Sequence, residues 1–231
     1  MATTTCFIPI LGKRIRVTKL DVCGNFPAVA AIDSYIATDG FITVTLKSVI
    51  ESGQEIITRK ADGSLCVNEK TADSFKRFDL DIEFCGVNPS LLAMVSNVTP
   101  YTIGTSIEGF SVPEGQINKM FALELWTGLS GQACVVGAAS ANGYLLLPFL
   151  QAGVLGDIKV DSSNAVSFSV TGAHTKGGNA WGLGPYKVVK NAAVDAVLPI
   201  ALSPFDHLLL INTGVAPPAS ACGLMPMPAL A

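Results

Sequence analysis

The chain has 231 residues and a formal net charge of −3, and only 14% of its residues are charged, compared with about 25% in an ordinary soluble domain. Its length fits one compact domain, and its acidic balance argues against a protein that binds nucleic acid through phosphates. Residues 126–231 hold only 4 Lys/Arg and 4 Asp/Glu. A surface so poor in charge is usually covered, either by membrane or by copies of the same protein.

Membrane is the weaker of these two options. The chain has no uninterrupted apolar run of about 20 residues, and its best candidate, residues 197–211, contains Pro199, Pro204, Asp206 and His207. The N-terminal sequence has no basic residue before its short apolar run, so we expect no signal peptide and no membrane insertion. We expect a soluble protein that associates with itself.

The first 20 residues carry positive charge and no acid. Basic residues alternate with apolar ones, which predicts a strand with charged outer positions after an N-terminal arm of about residues 1–12. Such a stretch can bind nucleic acid, or it can meet acidic residues of a neighbouring copy and fix the register of an assembly. For the second case the candidate inter-subunit contacts are Lys13, Arg14, Arg16, Glu51 and Glu55.

Residues 38–95 contain the clearest local signals. Asp39-Gly40 and Asp62-Gly63 are turn dipeptides between β-rich runs and predict hairpins. Residues 78–84 alternate four apolar residues with Asp79, Asp81 and Glu83, a period of two that only a strand accommodates. Asn88-Pro89 then supplies an N-cap and a first-turn proline, which predicts a short helix through residue 95.

Four pieces of this segment, in order, are TDGF, ESGQEI, RKADGSLCV and KRFDLDIEFCGVNPSLL. Together they resemble the major tail (tail-tube) proteins of long, non-contractile-tailed bacteriophages that infect actinobacteria. The resemblance spans about residues 13–96, and the Ser96-Asn97 pair departs from the Thr-Gly-type turn that often ends the helix in that family.

The resemblance implies a structural virion protein that forms hexameric rings stacked into a tube, the conduit for genome ejection. It implies as partners a tape-measure protein, baseplate or tail-tip proteins and a tail-terminator protein, with transient passage of double-stranded DNA. It also implies a location in the phage tail, after assembly in the host cytoplasm. Under this hypothesis Asp79, Asp81 and Glu83 are candidate lumen-facing residues; the alternative is an ordinary solvated strand face.

The rest of the chain predicts more strands and few helices. We expect a connector over 99–116, a glycine-rich loop over 172–185 and an extended C-terminal tail over about 213–231 that packs on a neighbouring subunit. Strands are predicted over residues 119–126, 144–150, 154–160, 165–171 and 208–212. The fold class is therefore mainly β, a tail-tube-like β-sandwich or barrel with one short α-helix, long loops and arms, in a single domain over 1–231.

No pattern of catalytic or metal-binding residues stands out. The six cysteines form no C-x-x-C pair, and we expect them to be reduced, with Cys66 and Cys85 buried in strands. His174 and His207 fit no zinc or hydrolase motif. We therefore expect neither a cofactor nor enzymatic activity. Two rivals to the tail tube remain: another virion component (head decoration, neck or tail terminator), or a β-sandwich adhesion or carbohydrate-binding module.

Overall fold

The structure is a computed structural model, and it describes residues 9–86, 88–129, 141–160, 166–178, 180–191 and 193–229. These form a mainly β fold with a single short helix. In chain order the elements are β1 (Pro9–Leu20), β2 (Tyr35–Thr38), β3 (Phe41–Glu51), β4 (Glu55–Arg59), β5 (Leu65–Lys70), β6 (Ser74–Phe84), α1 (Pro89–Val95), β7 (Thr99–Ile103), β8 (Ser106–Ser111), β9 (Met120–Leu129), β10 (Asn142–Gln151), β11 (Val154–Lys159), β12 (Ser167–Thr175), β13 (Val189–Asn191), β14 (Val194–Ala196) and β15 (Leu209–Thr213).

The main sheet is antiparallel and bends at one point. Its path is β2-β1-β9-β10-β12-β6-β3, with β15 on β10 and β11 on β12. β10 and β12 pair only through Leu150–Thr175 and Gln151–His174, so the sheet divides there into two halves. We call β2-β1-β9-β10-β15 the first half-sheet and β11-β12-β6-β3 the second half-sheet.

The two half-sheets enclose the main core. β2 and β3 stand at opposite ends of the sheet path, yet only Asp39 and Gly40 connect them, so the end of β2 lies close to the start of β3. Near this connection a Cβ atom on Gly12 would lie 2.7 Å from Cζ of Phe41, so a larger residue at position 12 would displace the Phe41 ring. The core contains Ile15, Val17, Leu80, Ile82, Phe84, Phe121 and Leu123, all 0–1% exposed.

Helix α1 closes one end of this core. Oδ1 of Asn88 accepts a hydrogen bond from the backbone N–H of Ser90 at 2.8 Å, and Pro89 occupies the first turn, as the sequence predicts. Leu91, Leu92 and Val95 are buried. Each such side chain stabilises the fold by about 1.5–3 kcal/mol through burial, so packing holds this two-turn helix in place despite its short length.

A second core lies on the other side of the first half-sheet. The segment 180–202 and residue Met227 cover that face, where Trp181 and Tyr186 pack with Trp126 and Tyr144. Residues 15–18 of β1 and most of β9 and β10 are consequently buried on both faces. This explains why β10 is an almost continuous apolar run rather than an alternating strand.

Several predictions are confirmed. The period-two strand is β6, the helix begins and ends where expected, and Asp62-Gly63 lies in the turn of the β4–β5 hairpin. The predicted strands beyond the helix correspond to β9, β10, β11, β12 and β15. Within the described residues, no helix has the length and apolar character needed to cross a membrane.

Other predictions are wrong. Asp39-Gly40 joins two strands that pair with different neighbours and so is not a hairpin turn. The expected connector over 99–116 contains the β7–β8 hairpin, and the expected loop from 172 begins later because β12 continues to Thr175 past a glycine at φ +75°. Cys66 and Cys85 are exposed.

The C-terminal segment lies against its own chain, contrary to the prediction. The backbone N–H of Ala221 donates a hydrogen bond to the carbonyl of Ala37, and that of Met225 donates to the carbonyl of Tyr35. The N–H of Ser34 donates in turn to the carbonyl of Met225. Residues 221–227 therefore cover the outer edge of β2, a position in which unpaired backbone groups would otherwise invite association.

Candidate assembly surface

The three acidic residues singled out in the sequence lie on the outer face of the second half-sheet. Along β6, Leu80, Ile82 and Phe84 point into the core, whereas Asp79, Asp81 and Glu83 alternate with them and are only partly buried. The strand fixes this separation because successive side chains leave a strand on opposite faces.

Neighbouring strands extend this face with more polar residues. β3 places Thr43 opposite Glu83, Thr45 opposite Asp81 and Lys47 opposite Asp79. On the other side of β6, β12 places Ser169 opposite Glu83 and His174 opposite Asp79. The outer face of β11-β12-β6-β3 is thus a polar surface, which we call the polar face.

Opposite charges neutralise one another across part of the polar face. Nζ of Lys47 lies 2.6 Å from Oδ2 of Asp81, and Nε of Arg77 lies 2.8 Å from Oδ1 of Asp79. The hydrogen bond to Asp81 and the charges of Asp81 and Asp79 raise the pKa of Lys47. Among the described residues Glu83 has no such partner. It lines a shallow depression of about 210 Å³ that is also bordered by Asp157 and Lys159.

Both ends of the second half-sheet are open. β3 pairs with β6 on one side, and within the described residues no strand or backbone hydrogen bond occupies its other side. β11 pairs with β12 alone; the N–H of Leu155 is taken by Oδ1 of Asn97, but residues 157–159 pair with no second described strand. Ile42 and Ile50 on β3, and Val154 and Ile158 on β11, are 46–59% exposed.

Two of the candidate contacts at the N-terminal end, Lys13 and Arg14, are partly engaged within the chain. Nζ of Lys13 donates to Oδ1 of Asn142 at 2.8 Å. Nη1 of Arg14 lies 3.3 Å from Oδ2 of Asp39, whose side chain is 62% exposed. Arg14 therefore lies beside the β2–β3 connection with its side chain 20% exposed, whereas Lys13 contacts the start of β10.

The prediction that Arg16 contacts a neighbouring subunit is wrong, because its side chain is buried. Its guanidinium makes two hydrogen bonds to the carboxylate of Glu124, 2.5 and 2.6 Å long, and lies over the ring of Tyr186 at 3.3 Å from the centroid. β1 and β9 pair these two residues directly. Arg16 is only 7% exposed, so it holds the second core together and offers no surface to a neighbour.

Burial shapes the ionisation of this internal cluster. Desolvation alone would lower the pKa of Arg16, but the carboxylate of Glu124 outweighs it and the net shift is upward. Burial and the same carboxylate raise the pKa of Tyr144, whose hydroxyl donates to Oε1 of Glu124 at 2.6 Å. Burial also raises the pKa of Tyr186. Arg16 therefore stays charged and the two tyrosines stay neutral at ordinary pH.

The two acidic candidates border a projecting hairpin. Glu51 ends β3 and lies 3.8 Å from Nζ of Lys76, with both side chains more than half exposed. Glu55 begins β4, and every residue of β4 and β5 is exposed. The five candidate contacts thus do not form one site. Lys13 and Arg14 lie on β1, whereas Glu51 and Glu55 lie at the base of the β4–β5 hairpin.

Two features of this surface were not found from the sequence. The open edges of β3 and β11 depend on which strands pair, and pairing is not a local property. The Arg16–Glu124 pair did leave one signal, because Glu124 is the only charged residue in the apolar strand β9. In the described residues no group of three His, Cys, Asp or Glu side chains is arranged to hold a metal ion.

No protein-family model matches this chain, and a search of curated proteins finds no match.

Proposed function

We propose that this protein is a structural subunit of a phage tail tube, in which copies join edge to edge into rings and the rings stack around a channel for DNA. One observation carries the proposal: the second half-sheet has an open edge at each end and a polar outer face between them. Exposed edge strands with apolar residues are normally protected, so two left open on one sheet favour pairing with other copies.

The strand directions suit such pairing. All contacts within β11-β12-β6-β3 are antiparallel, so β3 and β11 run in opposite directions. When β3 of one copy pairs with β11 of the next, the antiparallel pattern continues without a break. This is a head-to-tail contact, which forms a closed ring if the rotation between copies divides a full turn evenly.

The expected ring leaves room for a channel. Six copies, the number that the family resemblance implies, would contribute about 24 strands at about 4.8 Å spacing, which gives a circumference of about 115 Å. The backbone diameter would then be about 37 Å before strand tilt widens it. The polar face would line the inside, because the opposite face of the same strands is occupied by the core.

The chemistry of the polar face suits passage of DNA rather than binding. DNA is retained where lysines and arginines neutralise phosphates. On this face Lys47 and Arg77 are already paired with Asp81 and Asp79, and Glu83 and Asp157 outnumber the neighbouring Lys159. A weakly repulsive lining would let a duplex slide. The protein would be located in the virion after assembly in the host cytoplasm, and it would contact tape-measure, tail-tip and terminator proteins; it would have no catalytic role.

Charges placed on the open edges test the proposal. Ile42→Asp on β3 and Ile158→Asp on β11 alter exposed side chains, so the monomer should stay folded while ring formation is lost. Ile200→Asp, at a position 79% exposed and outside the half-sheet, is the matched control. Analytical ultracentrifugation and negative-stain microscopy at one protein concentration would compare ring formation in the two edge variants and the control. Rings in both edge variants would refute edge pairing.

A carbohydrate-binding module is the second candidate, and one surface feature favours it. Phe75, Phe78, Phe205 and His207 border a cavity of about 290 Å³, and Phe205 is 86% exposed. Aromatic faces of this kind can stack on apolar faces of ligands. Such a module would bind sugars as a monomer or trimer, so a glycan array with the wild type and Phe205→Ala would distinguish it from a tube subunit.

A further inference from the structure

The loop formed by residues 203–207 is a compact turn that carries an exposed aromatic ring. The backbone N–H of Ser203 donates to Oδ2 of Asp206 at 2.8 Å, and the N–H of Asp206 donates to the carbonyl of Ser203 at 3.0 Å. These two hydrogen bonds close the turn on itself. Phe205, between the two residues, is 86% exposed and borders the aromatic cavity of about 290 Å³.

Polar contacts attach this loop to the end of β12 and to the residues just after it. The N–H of Gly178 donates to the carbonyl of Pro204 at 3.1 Å, and Nδ1 of His207 lies 2.6 Å from Oγ1 of Thr175. A Cβ atom at position 178 would lie 2.2 Å from the carbonyl oxygen of Ser203, so the two backbones come this close because residue 178 is a glycine.

The Thr175 hydroxyl determines which proton lies between it and His207. Thr175 is 2% exposed, and its Oγ1 already accepts a hydrogen bond from the N–H of Phe78 at 2.9 Å. A hydroxyl has one proton to donate, and a buried donor without an acceptor costs free energy. Among the described residues, Nδ1 of His207 is the acceptor within reach of this proton. The contact therefore needs a neutral imidazole that carries its own proton on Nε2.

The surroundings of His207 disfavour its charged form. Burial lowers the pKa of His207, and the charge of Asp206 partly opposes this shift. β6 and β12 face the ring with the uncharged side chains of Phe75 and Thr175. The ionisable residues next to these side chains lie against other groups: Lys76 against Glu51, Arg77 against Asp79, His174 opposite Asp79 on the polar face, and Lys176 over the ring of Phe149.

We infer that this contact is an acid-sensitive closure of the aromatic cavity, in which protonation of His207 at Nδ1 releases the 203–207 loop from β12. The protonated ring would present an N–H to Oγ1 of Thr175, and the buried hydroxyl would lose its acceptor. Release of the loop uncovers Phe75 and Phe78. The inference goes beyond the proposed function and concerns the single chain, so it does not depend on ring formation.

Amide hydrogen exchange at Gly178 measures this release, because its N–H is bonded to the loop. In the wild type, the exchange rate relative to the intrinsic rate at each pH should rise about threefold or more between pH 7.5 and pH 5.5. Linkage limits the rise to about tenfold per pH unit below the unfolded pKa of about 6.5. A local opening exposes little surface, so low urea should leave the rate unchanged. A rate that rises steeply with urea would indicate global unfolding and overturn the inference.

Substitutions at the two partners complete the test. His207→Gln supplies an oxygen that can accept the Thr175 proton at every pH, so exchange at Gly178 should not depend on pH. His174→Gln, on the polar face, is the matched control and should behave like the wild type. Thr175→Val removes the hydroxyl and should give fast exchange at both pH values, whereas Thr175→Ser should keep the pH dependence. A pH-independent rate in the wild type, or an increase that persists in His207→Gln, would contradict the inference.

Discussion

Among single residues, Arg16 and Glu124 have the most constrained surroundings. Their bidentate ion pair is buried between β1 and β9, with Tyr144 donating to the same carboxylate and Tyr186 stacked on the guanidinium. Removal of one partner leaves an uncompensated charge in the core. Replacement of Arg16, Glu124 and Tyr144 together by apolar residues leaves no buried charge and changes only the packing. We expect the pair to fix the register of β1 against β9 more than it adds stability.

This difference gives the first prediction. Arg16→Met should lower the free energy of unfolding by about 3–5 kcal/mol, because Glu124 is then buried without a cation. The triple variant Arg16→Met, Glu124→Leu, Tyr144→Phe should recover most of that loss. Urea unfolding of both proteins measures the difference. A triple variant less stable than Arg16→Met would show that the network itself stabilises the fold.

His207 gives a prediction about pH. Burial lowers its pKa, partly opposed by Asp206, and its Nδ1 lies 2.6 Å from Oγ1 of Thr175. Because the folded pKa is below the unfolded value of about 6.5, the unfolded chain binds more protons as the pH falls through that range, and stability decreases. His207→Gln should lose less unfolding free energy than the wild type between pH 8 and pH 5.5. Equal losses in the two proteins would contradict this assignment.

At the scale of elements, the C-terminal segment works as a cover for the β2 edge. Met227 is 3% exposed in the second core, and the backbone of residues 221–227 forms hydrogen bonds with residues 30–37. This gives the segment a role within the monomer, separate from any assembly.

The prediction is that Met227→Ala lowers the free energy of unfolding by about 2–3 kcal/mol, as expected for a truncated core methionine. Met225→Ala is the control, because that side chain is only partly buried and its main contribution is a backbone hydrogen bond that alanine retains. Urea denaturation at a concentration where only monomer is present makes the comparison. Equal, small effects would mean that the segment does not pack on its own chain.

Local patterns predicted the elements more successfully than their arrangement. The alternation of Phe78 to Phe84 and the Asn88-Pro89 cap depend on adjacent residues, so β6 and α1 were predictable. The same signals failed at Asp39-Gly40, where a favourable turn dipeptide joins strands from opposite ends of the sheet. Arg16 was misplaced because the long segment 180–202, distant in sequence, covers what would otherwise be a solvated face.

At the scale of the whole molecule, the first and second half-sheets have different surroundings. The second half-sheet carries the polar face and the open edges, whereas most of β9 and β10 in the first half-sheet is buried on both faces. If the polar face lines a channel, its charge should decide whether DNA slides or stays bound.

Reversal of that charge gives a prediction for the assembled tube. Asp81→Lys combined with Glu83→Lys should leave assembly intact but make tubes retain duplex DNA, with binding that weakens steeply as salt increases. Glu108→Lys combined with Glu114→Lys makes the same change in net charge at exposed positions outside the polar face. The fraction of DNA that the tubes protect from nuclease is measured for both double variants. Equal retention by both would place the polar face outside the channel.

The central claim is that copies of this chain close into hollow rings. Negative-stain electron microscopy of the purified wild-type protein over a concentration series tests it most directly. The account predicts rings, and at higher concentration tubes, of one diameter with a central channel. A monodisperse monomer or trimer at every concentration, with no rings, would contradict it.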